Sequence, residues 1–166
     1  MYQRNDRVIY GIHGVCTIID MEILKIDGKA VEYYVLSPVD QPDARFYVPT
    51  QNKAAVAKLR PLLSKEALDA LLHDPTMIKN NWIQDENERK QRYRELINSG
   101  DRVEMVKMVY TLHIHRKKLN DVGRKFHLCD ENFLRDAEKL LKAEFSIILS
   151  IPQDQVKNYI HETIGM

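Results

Sequence analysis

Cysteine is nearly missing from this chain: there are two, Cys16 and Cys129, far apart and in segments of different character. Two thiols build no disulfide framework, and no second pair stands at metal-ligand spacing. No apolar run is long enough to span a bilayer. Met1-Tyr2-Gln3-Arg4-Asn5-Asp6 lacks the apolar stretch of a secretory signal. A cytoplasmic location with no membrane partner is the expectation. An excess of one charge is also lacking, because 25 Lys and Arg oppose 24 Asp and Glu for a net charge of +1. Residues 1–62 hold 8 cations and 7 acids, leaving 17 of each for the remainder. A molecule-wide field for nucleic acid is therefore excluded, and any DNA contact must come from a local patch.

Catalytic signatures are absent as well. The chain has no G-x-x-x-x-G-K-[ST], no G-x-G-x-x-G and no G-x-S-x-G. Six histidines invite a metal reading, but His113 and His115 lie two apart on a predicted helix and point to nearly opposite faces. His127 and Cys129 sit at a loop–helix junction with no further ligand pair. Acidic residues alternate with basic ones in the helices, as they do on solvated faces. No enzymatic activity, metal, cofactor or small-molecule substrate is expected.

What is present divides into two periods. Residues 1–62 read as short strands: Arg7-Val8-Ile9-Tyr10, Val15-Cys16-Thr17-Ile18-Ile19, Met21-Glu22-Ile23-Leu24-Lys25-Ile26 and Val31-Glu32-Tyr33-Tyr34-Val35-Leu36. Asp27-Gly28 between the last two is a hairpin signal, since glycine accepts the positive φ of a type I′ turn. Arg45-Phe46-Tyr47-Val48 is a further strand stopped by Pro49, and a short fifth is expected near Val56-Ala57-Lys58-Leu59. Five strands joined by tight turns predict a small SH3- or Tudor-like barrel. Residues 63–166 turn helical. Ser64 caps a helix to about Leu72, a second runs from Asn81 or Trp82 to Ser99 before Gly100, and Asp101-Arg102-Val103-Glu104 is a capping box. Val103, Val106 and Tyr110 are expected on one face of that third helix, and Leu134, Leu141, Phe145 and Ile148 on one stripe of the fourth, opening at Cys129 or Asp130. Ser150 is expected to cap a last helix through Ile164. The fold class is α+β in two domains, a small β-barrel of residues 1–62 followed by an all-α bundle of residues 63–166.

Two features stand above background. The single tryptophan, Trp82, precedes Arg89-Lys90-Gln91-Arg92-Tyr93-Arg94, four cations in six positions. A large apolar ring beside a basic helix suits a minor-groove protein, in which cations hold the backbone and the ring wedges against a base step. From composition the plainer reading has Trp82 in the core and the cations solvated, balanced by Asp85, Glu86, Glu88 and Glu95. The second feature is the strand Arg45-Phe46-Tyr47-Val48-Pro49, placed as an edge that could accept a partner's strand or be protected by Arg45 and Pro49.

In their order along the chain, Asp6-Arg7-Val8-Ile9-Tyr10, His13-Gly14-Val15, Tyr34-Val35-Leu36, Val48-Pro49, Asn81-Trp82, Tyr93-Arg94-Glu95-Leu96 and Ser99-Gly100-Asp101 resemble the CarD/CdnL family of bacterial transcription regulators. The resemblance covers essentially the whole chain. It implies a Tudor-like domain binding the RNA polymerase β subunit through Arg45, Phe46, Tyr47, Val48 and Pro49. It further implies a helical domain contacting promoter DNA at the upstream edge of the opening bubble, with Trp82 as wedge and Arg89, Lys90, Arg92 and Arg94 on the backbone. The regulator would stabilise the open promoter complex. The alternative is a polymerase-interaction module without productive DNA contact, as in the transcription-repair coupling helicase.

Overall fold

Asp27 and Gly28 adopt φ of 49° and 76°, the paired positive values of a type I′ turn, and they join the two longest strands. Those strands are β2 (Val15–Ile26) and β3 (Lys29–Pro38), with β1 (Arg7–Tyr10), β4 (Phe46–Pro49) and β5 (Leu59–Pro61) completing one antiparallel sheet in the order β4-β3-β2-β1-β5. The computed structural model describes residues 1–165, so Met166, the last residue of the expected helical domain, lies outside the described residues. Contacts divide the chain into two units, Met1–Leu62 and Leu63–Met166.

In the first unit Val8, Cys16, Ile18, Leu36, Val48 and Leu59 meet in one core drawn from all five strands. Laid flat, five strands spaced about 4.8 Å apart would set β4 and β5 roughly 19 Å from each other. A shared core therefore requires the sheet to curl. The two expected strands at 15–19 and 21–26 form one strand interrupted by a register shift between Ile18 and Asp20. That bulge turns the ribbon so that its inner half packs and its outer half is exposed. The expected fifth strand is displaced. Asn52 caps a single helical turn, α1 (Lys53–Val56), by accepting from the Ala55 N–H at 3.1 Å, and pairing with β1 resumes only at Leu59.

The second unit holds α2 (Lys65–His73), a 3-10 turn (Pro75–Ile78), α3 (Glu86–Ser99), α4 (Arg102–Asp121), α5 (Leu128–Leu149) and α6 (Gln153–Ile164). Ser64 and Asp101 cap α2 and α4 as their sequences predict, accepting from Ala67 N–H at 3.0 Å and Glu104 N–H at 3.1 Å. Gly100 closes α3 with φ 66°. Leu134, Leu141 and Phe145 lie in the core and Ile148 packs against it. Three expectations are corrected. The second long helix begins at Glu86, because Asp85 caps it and the Asn81 N–H bonds to Thr111 Oγ1, away from any helical acceptor. Val103 is exposed, the inward stripe of α4 being Met105, Val106, Met108 and Leu112. Ser150 ends α5 in the left-handed region at φ 55°, and Pro152 stands at the N-cap of α6. No helix is long and apolar enough to cross a membrane among the described residues.

Arg102 holds Glu144 across the bundle at 2.9 Å, and the same carboxylate accepts from the Leu63 N–H. One buried polar atom has no partner among the described residues, the hydroxyl of Tyr93. Burial, then the charge of Asp130, pushes this phenol up to about 12. An unmatched buried hydroxyl costs roughly 1–3 kcal/mol. Tyr93→Phe is expected to unfold at an equal or higher urea midpoint, with about 1 kcal/mol gained where the ring packing is kept.

Candidate functional site

The first unit exposes β4 as a sheet edge, and its hydrogen-bonding parity is set by the residue that follows it. Thr50 N–H donates to Glu32 O at 2.9 Å, so positions 48 and 46 alternate into hydrogen-bonded pairs with β3. Tyr47 is then the residue whose N–H and C=O point away from the sheet. Its side chain is 45% exposed and lies edge-on to Tyr33 at 6.3 Å. Val48 is buried, and Phe46 is half-buried against His13 at 4.1 Å. Arg45 lies outside the strand, its guanidinium bonded to Ser37 Oγ and to the carbonyls of Pro42 and Ala44. It fastens the turn beside the edge. Pro49 ends the strand and lacks an N–H.

In the second unit Trp82 lies in segment 79–85, between the 3-10 turn and α3, off any helix and packed partly buried against the core. The indole is half-buried and stacks on His115 at 3.5 Å with 13° between ring planes. The Arg89 guanidinium carbon is 4.3 Å from its centre. Its Nε1–H donates to Gln84 Oε1 at 3.2 Å, and its backbone N–H to Asn80 Oδ1 at 3.2 Å. Burial first, with Arg89, Lys118 and His127 adding against Asp130, holds His115 below its ordinary 6.5. A neutral imidazole is favoured, and it stacks without being hydrated as an ion.

The run Arg89-Lys90-Gln91-Arg92-Tyr93-Arg94 is not one patch. Arg89 is only 4% exposed, and it donates from Nε and Nη2 to the two Asp130 oxygens at 2.9 and 3.0 Å. Its Nη1 donates to Ile83 O at 3.0 Å. It cannot reach solvent phosphate and is removed from the expected backbone contacts. Its place in the sequence explains why, since Arg89, Tyr93, Leu96 and Ile97 form the buried stripe of α3. At about 100° per residue, Lys90 and Arg94 flank that stripe on one side and Arg92 on the other. Lys90 pairs with Glu86, and Arg92 lies 3.7 Å from Glu104. Arg94 is exposed without an ion pair among the described residues. The structure thus keeps Lys90 and Arg94 together and sets Arg92 apart.

A denser basic segment lies further along the chain, outside the expected set. Between Arg116 and Lys125 five cations accompany one acid, Asp121, whereas residues 85–95 balance four of each. Arg116 turns to His113, but Lys118, Arg124 and Lys125 are exposed and make no ion pair among the described residues. Lys118 and His127 lie near enough to His115 to act on its charge, and Phe126 is 6.3 Å from that ring. Lys118 near the end of α4, with Phe126 and His127 of the loop that follows, therefore lies beside the Trp82 shelf, and Arg124 and Lys125 belong to the same loop. His113 meanwhile bonds Glu138 at 2.7 Å, on a different face from His115, as their two-residue spacing requires.

Residues 2–62 match the family model described as CarD-like/TRCF RID domain, and residues 66–161 match the model described as CarD, C-terminal domain. One matched segment falls in each structural unit. Comparison with curated protein sequences gives no match.

Breaking the Arg89–Asp130 pair leaves a buried guanidinium uncompensated, and such losses cost about 3–5 kcal/mol. Asp130→Asn is expected to lower stability by that order in urea unfolding. Because Trp82 is the single tryptophan, its fluorescence reports this shelf alone. Emission should shift red and quencher access rise below the unfolding midpoint; an unchanged spectrum would remove the pair's role in seating the indole.

Proposed function

The chain belongs to the CarD family, a family of non-enzymatic, RNA-polymerase-interacting transcription regulators, and we propose that it stabilises the open promoter complex by joining a polymerase contact in its first unit to a DNA contact in its second. In this reading residues 1–62 add a strand of the polymerase β subunit to the free edge of β4. The outward N–H and C=O of Tyr47 supply main-chain pairing, and its half-exposed ring supplies selectivity. Residues 63–166 meet promoter DNA at the upstream edge of the bubble.

The observation that carries the DNA half is a stacked, partly exposed indole with Lys118, which makes no ion pair among the described residues, near its stacking partner His115. Cations hold phosphate in this reading, Lys118 first with Arg124 and Lys125 of the following loop, then Arg94 and the Glu86-paired Lys90 of α3. Trp82 then occupies space at a distorted base step and slows its reclosure. Arg89 acts through the indole it seats, and Arg92 is turned to Glu104. A bare polymerase-interaction module would account for residues 2–62 but leave 66–161 without a role.

Open-complex lifetime on a polymerase–promoter complex tests both halves. Tyr47→Glu should lose co-purification with polymerase while keeping its melt. Trp82→Ala should keep polymerase binding and shorten the lifetime about tenfold, equivalent to about 1.4 kcal/mol in the barrier. Reversing Lys118, Arg124 and Lys125 to Glu should weaken the effect and flatten its salt dependence, by roughly 0.9 in log–log slope for each phosphate no longer held. A wild-type lifetime with a folded Trp82→Ala protein would overturn the wedge.

A further inference from the structure

One face of α4 organises the segment that carries the indole. Thr111 and His115 lie four residues apart on this helix, so their side chains share a face. Thr111 Oγ1 accepts from the Asn81 N–H at 3.1 Å, and His115 stacks on the ring of the next residue, Trp82. Lys118, exposed, follows three residues on along the same face. Two consecutive residues of irregular chain are thus registered against two consecutive turns of a helix whose Met108 and Leu112 lie in the core.

The contacts of His115 are few and of one kind. Its ring nitrogens have no hydrogen-bond partner among the described residues, and neither is sealed from water. It meets two rings, the indole with 13° between planes and Phe126 tilted at 6.3 Å. Arg89 of α3, Lys118 of α4 and His127 of the loop oppose a charge on it, and only Asp130 of α5, already paired with Arg89, favours one. A half-buried imidazole without hydrogen-bonding duty and with one parallel aromatic neighbour serves chiefly to keep that neighbour from turning. An indole rotates about two side-chain torsions, and a base step pressing on its exposed part would turn it unless the ring were held from behind.

We propose, on the wedge reading of Trp82, that His115 is a positioning residue for the DNA contact, the flat backing that holds the indole at one angle while a base step presses on it. A stacked aromatic pair is worth roughly two- to tenfold in an equilibrium beyond the area it buries. Fixing the indole in advance also spares the contact the cost of ordering that side chain. The role needs a planar ring at this position and no nitrogen.

A double-mutant cycle in open-complex lifetime, on the full chain with polymerase and promoter, tests this role. His115→Ala should shorten the lifetime roughly fivefold with polymerase binding unchanged. In a Trp82→Ala background it should shorten the lifetime no further, since it acts through the indole. His115→Phe keeps a flat ring without nitrogens and should keep the wild-type lifetime. His115→Leu fills the space without a flat face and should behave as alanine does; it carries the comparison where alanine lowers the melt. In the free protein, emission of the single tryptophan should shift red and its anisotropy fall in the leucine variant, and both should stay unchanged in His115→Phe. A short lifetime in His115→Phe would make the imidazole a direct DNA contact, and additive losses in the double variant would make it act apart from Trp82; either overturns the proposal. A short-lived Trp82→Ala complex beside an unaffected His115→Leu overturns this inference alone, whereas a wild-type lifetime in Trp82→Ala overturns the wedge and this inference with it.

Discussion

Everything distinctive in the helical unit converges on the guanidinium of Arg89. Two of its N–H groups hold Asp130 at the start of α5, a third holds the carbonyl of Ile83, and its planar face lies against Trp82. Burying such a charge is tolerated only when the geometry is good and its nitrogens are met, and here α5 and segment 79–85 supply the acceptors. That segment has no regular hydrogen bonding of its own. Arg89 at Ile83, Thr111 at Asn81 and the Asn80 side chain at Trp82 fix it in place. The indole is consequently held before any partner arrives, which removes part of the ordering cost of a later contact.

Much of this architecture is readable locally. Asp27-Gly28, Ser64, Gly100 and Asp101 act within a few residues of themselves, and each does in the structure what its chemistry predicts. The fate of Arg89 is harder to see, because its partner lies 41 residues away and arginine is ordinarily solvated. A trace of it is present: Arg89 is four residues before Tyr93, on the stripe continued by Leu96 and Ile97. Four cations in six positions do not make a patch on a helix, which fans neighbours by about 100° each. The start of α3 is obscured for a related reason. Asp85 and Glu88 form the capping pair, whereas Asn81 and the aromatic Trp82 stand a full turn earlier, in irregular chain.

The edge strand shows the opposite balance. Its place at the margin of the sheet follows from the turn before it and the proline that ends it, both visible in the sequence. Which backbone groups it offers does not. That depends on Thr50 pairing with Glu32, one residue past the strand, which fixes the parity of the ladder and leaves Tyr47 facing outward. Slipping the register by one would present Phe46 and Val48 instead and unpack both from the core. The outward orientation of Tyr47 is thus enforced by the hydrophobic core behind it.

Charge arrangement bears on how two modest contacts would act together. Three of the four α3 cations are paired, Arg89 with Asp130, Lys90 with Glu86 and Arg92 with Glu104, and the whole chain is near neutrality, so the unmatched cations near Trp82 are few. Few phosphate contacts give weak, salt-sensitive binding to duplex DNA in general. On the proposed reading that weakness is useful. A strand added at β4 makes the DNA encounter intramolecular, and an effective concentration in the millimolar range turns a poor contact into an occupied one. The wedge adds a second condition, because an indole held on its shelf gains most where a base step is already distorted. On the proposed reading, selectivity for the opening promoter would come from multiplying two contacts that are each unselective, with no base-specific hydrogen bond required.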